Sequence, residues 1–300
     1  MIGAGRLHEA QQLTQQAMFL ETQQAKLVLP DVGYPALVQG DILREWNKLD
    51  EALALVSEGL ERCKQIVSMT LLAQFLYGYS MLLRVHLSRG ELDAACSALQ
   101  EFEHIGMSMN QHVYLHIRSL FTMVDQVKLW LACGELERAT YWAETLDVVQ
   151  RLGTPFEHER EEVARVRLFL AKHQPTLALQ RLEPVLQRAT RGQRWGHVIE
   201  MRLLQALAYQ MGHEETQALS ALSKAIRLSE PEGYIRSFVD EGTQMGTLLS
   251  RLQEKQHQYG PTPYLNTLLA AFQQESMVRV RAKAHTKGRR VHGEQRSAII

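Results

Sequence analysis

Six variants of one short stretch recur along this chain at intervals of about forty residues, and a period of that size restricts the fold to stacked two-helix units. The clearest are Gly90–Ala95, reading GELDAA, and Gly134–Ala139, reading GELERA. Weaker variants are Gly5–Ala10 (GRLHEA), Asn47–Ala52 (NKLDEA), His173–Ala178 (HQPTLA) and Gly212–Ala218 (GHEETQA, one residue longer). Each variant suits the turn between two antiparallel helices. A glycine in first place can take the left-handed conformation that ends one helix, and the acidic residues after it suit the positive N-terminal end of the next. The leucine in third place (Leu7, Leu49, Leu92, Leu136) is expected to open the apolar stripe of the second helix. The alanine (Ala10, Ala52, Ala95, Ala139, Ala178) is small enough to let two helices approach closely. After Leu49 the apolar positions Ala52, Leu53, Val56, Leu60 and Cys63 keep helical spacing, as do Ala139, Ala143, Leu146 and Val149 after Leu136.

A repeat array can use all 300 residues in one continuous solenoid, and the hydrophobic share of 45% is ample for its core. Lys+Arg and Asp+Glu both total 33, so the overall charge argues for neither nucleic acid nor acidic ligands. The cations are unevenly placed: Arg279, Arg281, Lys283, Lys287, Arg289, Arg290 and Arg296 stand against Glu294 alone after Ser276. Cys63, Cys96 and Cys133 are odd in number and lack CxxC spacing, and each falls in an apolar helical pattern. They read as reduced core thiols of a cytoplasmic protein. No apolar run reaches the ~18 residues of a membrane span, and the N-terminus has no basic-then-apolar signal pattern.

The spacing predicts a lone second helix from Gly5 to about Gln24, then a loop at Pro30 and Gly33 and a first helix from Pro35 to Trp46. Further first helices are expected at roughly 69–88, 112–132, 157–172 and 196–211, and second helices at about 48–65, 91–105, 135–152, 176–190 and 215–229. No stretch alternates with period two beside turn residues. The expected fold is therefore all-α, a tetratricopeptide-like helical-hairpin solenoid wound as a right-handed superhelix. It would occupy residues 1–275, with capping helices from about residue 230. The basic stretch 276–300, poor in large apolar residues, reads as a disordered tail.

Motifs for chemistry are absent. There is no G-x-x-x-x-G-K-[ST] loop and no G-x-G-x-x-G after a strand, so no nucleotide cofactor is expected. His112 and His116 share a helix face at zinc-binding spacing, but the residues between them are Val113, Tyr114 and Leu115, with no glutamate to act as base. His158 beside Glu157, Glu159, Glu161 and Glu162 reads as a solvated helix face. No catalytic, cofactor or metal residue can be assigned, and an enzyme is not expected. Trp46, Trp130, Trp142 and Trp195, with Tyr77, Tyr79, Tyr114 and Tyr141, could line a groove but are expected chiefly to pack between hairpins.

Leu29–Ala52 (LPDVGYPALVQGDILREWNKLDEA), the GELDAA and GELERA turns, and EPEGYIRSFVDEG at Glu230–Gly242 together resemble the helical-repeat sensor region of MalT-like transcriptional regulators of the LuxR superfamily. The resemblance covers about residues 1–275. In that family a P-loop ATPase precedes the repeats and a helix-turn-helix follows them, while the repeats receive an inducer or a regulatory protein. This chain opens mid-repeat, and its basic tail contains no Leu-Ser-x-Arg-Glu or Asn-x-Glu-Ile stretch. The resemblance thus implies the sensor role, in a truncated or split regulator, without ATP hydrolysis or sequence-specific DNA binding by this chain alone. The expected partner is a protein or small-molecule inducer on the concave face, with no membrane and with possible self-association through an open N-terminal edge. The alternative is a general tetratricopeptide-like scaffold with no transcriptional role.

Overall fold

The computed structural model describes residues 4–23, 33–64, 72–108, 110, 111, 114, 122–149, 155–255 and 263–277. His112, His116 and residues 278–300 of the basic stretch lie outside the described residues. Among those described, regular structure is helical throughout: α1 Leu7–Gln23, α2 Tyr34–Glu45, α3 Leu49–Lys64, α4 Leu72–Arg89, α5 Leu92–Met107, α6 Met123–Ala132, α7 Leu136–Val149, α8 Pro155–Ala171, α9 Pro175–Arg191, α10 Trp195–Met211 and α11 Glu215–Ser229. A single 3-10 turn at Glu230–Glu232, a short helix α12 at Arg236–Val239, then α13 Thr243–Glu254 and α14 at 263–277 complete the order. The chain is an all-α helical-repeat protein.

The recurrent stretches are the turns that join first to second helices. Gly5, Asn47, Gly90, Gly134, His173 and His213 all have φ between 56° and 80°. At Gly90 the N–H bonds the Leu87 carbonyl and the Glu91 N–H bonds the His86 carbonyl, the paired pattern that closes a helix around a left-handed residue. The same pair of bonds recurs at Asn47, Gly134, His173 and His213. The last turn corrects the expected alignment. Gly212 stays at φ −78° and the left-handed residue is His213, so this repeat too is six residues long, His213–Ala218. A Gly in the sequence draws attention to itself, but a hydrogen-bonded Schellman turn can hold Asn or His in the left-handed well at modest cost. Gln193 (φ 51°) makes a turn of the same kind between α9 and α10, one that no glycine announces.

Ala10, Ala52, Ala95, Ala139, Ala178 and Ala218 are each 0% exposed, as close helix approach demands. The leucines differ from expectation: Leu7 is fully buried, Leu49 and Leu92 are half-buried and Leu136 is 37% exposed. The third position falls in the first helical turn, at the rim of the hairpin, so it covers the core edge rather than filling it. Cores run on from hairpin to hairpin. One links α2, α3 and α4 through Leu37, Val56, Leu60 and Met81, and another carries Val127, Ala139, Val163, Leu182 and Met201 through α6 to α10.

Residues 1–237 form one compact unit. Within it α2 touches α4, α4 touches α6, α6 touches α8 and α8 touches α10, whereas among the described residues successive second helices make no comparable contact with one another. Crowding on the first-helix side means that the array curves with those helices on its inner face. The curve carries the two ends of the unit together. A Cβ added at Gly5 would stand 2.8 Å from the Trp195 Cβ, so the start of α1 lies against the start of α10. The stretch 230–237 then returns to the first hairpins: the Ile235 N–H bonds the Glu45 carbonyl at 3.0 Å and the Trp46 indole N–H bonds the Glu232 carbonyl at 2.9 Å. The N-terminal edge is therefore open only in part. Leu7 and Ala10 are buried, while Leu13, Phe19 and Leu20 further along α1 are 43%, 61% and 53% exposed.

The described residues after Ser237, 238–255 and 263–277, belong to a second compact unit. In it α13 buries Met245, Leu248, Leu249 and Leu252, and α14 buries Leu265 and Leu268. Phe238 meets Tyr264 edge-on at 6.5 Å, and a Cβ at Gly246 would approach the Phe272 ring to 3.1 Å, so these two helices pack closely.

Candidate functional site

The inner face formed by the first helices is the place where this fold gathers polar chemistry. Asp41, Arg44 and Glu45 on α2, Asp125 and Gln126 on α6, Glu157, Glu159, Arg160, Glu161 and Arg167 on α8, and Gln205 on α10 are all buried. Charged groups at such depth must pair with one another or with hydrogen-bonding partners. Arg84 on α4 bridges two neighbouring first helices, donating to Asp41 Oδ2 at 3.0 Å and to Asp125 Oδ2 at 3.0 and 3.1 Å. Asp41 also accepts from Arg44 at 3.0 Å. Burial by itself would raise the Asp41 carboxyl, but the Arg84 and Arg44 guanidiniums outweigh it and hold it below the usual carboxylate range. Burial, and then the Asp41 charge, push the Tyr77 hydroxyl well above its ordinary value.

A second cluster joins α8 to α10. Arg160 and Arg167 donate to the two oxygens of Glu200 at 3.1 and 2.9 Å. Burial opposes ionisation of Glu200, yet Arg160, Arg167 and Lys128 together keep it well below the usual carboxylate range. His197 Nδ1 lies 3.5 Å from an Arg160 nitrogen. Burial, reinforced by Arg160, lowers its pKa to about 3, so the imidazole is neutral at ordinary pH. Arg194 pairs bidentately with Glu159, its Nε donating to Oε2 at 3.0 Å and its Nη2 to Oε1. Two buried acceptors on this face, Gln126 Oε1 and Glu161 Oε1, have no donor among the described residues.

This corrects the reading of Glu157, Glu159, Glu161 and Glu162 as a solvated face. The first three are 4%, 2% and 5% exposed, whereas Glu162 and the neighbouring His158 reach water, the His158 ring 3.5 Å from a Glu161 oxygen. The curvature of the array turns this side of α8 inward, and Arg194, which pairs with Glu159, arrives from a site remote in sequence. Asp41, Arg84, Lys128 and Arg167 occupy the same place relative to the turn residue of their hairpins. That register was the signal available in the sequence.

The aromatic residues pack mainly between hairpins. Trp130 and Trp142 meet edge-on at 6.1 Å and are both buried, and Arg138 lies over the Trp130 ring at 5.0 Å. Tyr77 stacks at a tilt with Tyr34, Trp195 packs against the larger core, and Trp46 packs on His8, while Tyr141 is 70% exposed. The cysteines differ from expectation: Cys63 is a core thiol, Cys96 is half-buried and Cys133 is exposed, because Cys133 sits at the helix-ending turn of α6 rather than on its inward stripe. Among the described residues no group of His, Cys, Asp and Glu could hold a metal ion, and no helix is long and apolar enough to cross a membrane.

The arrangement is a pair of largely buried charge networks, one tying together α2, α4 and α6 and the other joining α8 to α10. Comparison with known proteins agrees with the repeat architecture. The family model described as the MalT-like TPR region matches residues 1–255. An HTH-type transcriptional regulator MalT from Vibrio campbellii is 24% identical over 261 residues, 87% of this chain and 28% of that protein. The protein of the same name from Serratia proteamaculans is 26% identical over 84% of this chain and 27% of its own length. The chain thus spans little more than a quarter of these relatives. With residues 1–255 matched, and with the hairpin turns in the places that the repeat demands, the chain belongs to the MalT-like TPR region family.

Proposed function

We propose that this chain is the effector- or protein-binding repeat module of a LuxR-type transcriptional regulator, acting in the cytoplasm and without catalysis of its own. The observation that carries the reading is the inner face itself. Its buried charges are held in place by neighbours from other hairpins, and the Gln126 and Glu161 oxygens still lack donors. Buried acceptors without donors are uncommon in folded proteins, and a bound ligand or partner that supplies N–H or O–H groups would satisfy them. The names of the relatives support the regulatory context. We take residues 1–275 as the functional module, with the basic stretch 276–300 contributing only salt-sensitive, sequence-independent contacts to polyanions.

A thermal-shift screen of the full chain against small polar metabolites and candidate regulatory proteins tests this, because a ligand that binds only the folded state raises its stability by mass action. The shift given by a hit should disappear in Gln126→Leu and Glu161→Gln and persist in Tyr141→Ala. A hit lost only in Tyr141→Ala would place binding elsewhere and favour a general scaffold.

A further inference from the structure

The residue that ends each first helix is set against the preceding hairpin in a fixed way. Trp46, one place before the left-handed Asn47, stacks on His8, three places after Gly5, with ring centroids 5.2 Å apart. Arg89, one place before Gly90, pairs with Asp50, three places after Asn47. The same register sets Cys133, one place before Gly134, against Asp93, three places after Gly90. Cys96 follows Asp93 by three residues on α5, so it shares that helix face and lies one turn further along. The repeat geometry thus brings together two cysteines of neighbouring hairpins, and the Cys133 thiol lies within hydrogen-bonding reach of the Cys96 sulfur.

The backbones on either side are held by packing. Leu129, one turn before Cys133 on α6, is 2% exposed and shares a core with Ala95 and Leu99 of α5, and Cys96 packs against that core. Cys133 caps α6, its N–H bonding the Leu129 carbonyl at 2.9 Å. It is exposed whereas Cys96 is half-buried, so a reagent from solution meets Cys133 first. Burial, then the Cys96 contact, then Glu135 and Asp93 raise the Cys133 thiol above its ordinary value. Thiolate is therefore scarce at neutral pH and attack on an oxidant is slow, but the adjacent thiol makes the step that follows fast.

We propose that Cys96 and Cys133 form a dithiol modification site, which hydroperoxides oxidise to a disulfide that ties α5 of one hairpin to the end of α6 in the next. In the first step the Cys133 sulfur attacks a peroxide oxygen and the O–O bond breaks. The sulfur becomes a sulfenic acid, and water or an alcohol leaves with the thiol proton. In the second step the Cys96 sulfur attacks the sulfenic sulfur, the S–O bond breaks, and water leaves with the Cys96 proton. Two thiols have then given up two electrons and two protons, and the peroxide has accepted them. A thiol reductant reverses the change by exchange, so in the reducing cytoplasm proposed above the pair rests as thiols.

The test treats the full chain with hydrogen peroxide at neutral pH, quenches with iodoacetamide and reads the cysteines by peptide mass spectrometry. The expected result is a disulfide between Cys96 and Cys133, with Cys63 still alkylatable after unfolding. The melting temperature should rise by several degrees, because the cross-link constrains the unfolded chain, and dithiothreitol should return it to the starting value. Cys133→Ser and Cys96→Ser should each lose both the bond and the shift, whereas Cys63→Ala should keep both. Cys133 is exposed, so its replacement leaves the fold in place, and the circular dichroism spectrum of reduced Cys133→Ser checks this. Four results would overturn the proposal: both thiols intact under peroxide that fully oxidises free glutathione, Cys133 carried on to sulfinic acid while Cys96 stays a thiol, disulfide-linked dimers through Cys133 in place of the internal bond, or an internal bond that lowers the melting temperature. The last would mean that the two sulfurs meet only when the hairpins come apart.

Discussion

Removing Arg84 should be among the most damaging single changes in this protein. Its guanidinium makes three charge-assisted bonds, two to Asp125 and one to Asp41, whose side chains are only 5% and 4% exposed. Arg84→Ala leaves Asp41 with Arg44, but takes the bridging cation away from Asp125. Breaking a buried pair by deleting one partner costs about 3–5 kcal/mol, and the Arg84 side chain is 21% exposed, so water entering its place should bring the cost to the lower end, about 3 kcal/mol. In a unit of this size each kcal/mol moves the melting point by about 2–4 °C, so thermal unfolding followed by circular dichroism should fall by roughly 6–12 °C. The effect has a pH signature. The Asp41 carboxyl is held low by Arg84 and Arg44, so its contribution is present above its unfolded value of about 4 and is lost as pH falls through the lower folded value. The gap between parent and Arg84→Ala should therefore narrow below about pH 4. Arg84→Lys, which can hold only part of the bridge, should fall between the two. A variant melting within 1 °C of the parent at neutral pH, taking ~1 °C as under half a kcal/mol, would show that the inner-face bridge contributes nothing and that the physical reading of this face is wrong.

Three further outcomes follow from other parts of the fold. Enlarging a turn alanine, as in Ala95→Leu or Ala139→Leu, should destabilise by about 1–3 kcal/mol through overpacking, and equal melting temperatures would contradict the close helix approach at these sites. Gly90→Ala should cost about 1–2 kcal/mol for conformational reasons alone, since φ is 73° and nothing lies within 4 Å of an added Cβ; His213→Gly should be neutral or stabilising, and the opposite ranking in urea melts would count against the left-handed turns. Iodoacetamide on the folded protein should modify Cys133 first and Cys63 last, because Cys63 is buried and its thiol is pushed up to about 11 by burial and by Glu21; early labelling of Cys63 in a mass-spectrometric time course would mean that its core opens readily.

The hairpins and their turns could be read from the sequence because they are local. A left-handed residue, a small alanine and an apolar stripe at helical spacing act within about twenty residues of one another, and each leaves its own mark on composition. The alignment slipped only at Gly212, where the chain uses His213 for a role that glycine usually signals. The inner face was not legible in this way. Glu157, Glu159 and Glu161 look in sequence like any solvated acidic helix face, and nothing local distinguishes a carboxylate facing water from one that, like Glu159, faces Arg194 across a curved array.

The sequence by itself therefore determined an all-α array of two-helix repeats, the places where its helices turn, and its resemblance to a sensor family. Only the tertiary structure decided which side of each helix faces inward and that the segment at 230–237 returns to Glu45, Asn47 and Ser88. Burial of a charge is set by groups far away along the chain, and those groups are brought together by the summed small rotations of every hairpin between them, a quantity that no single stretch of residues carries.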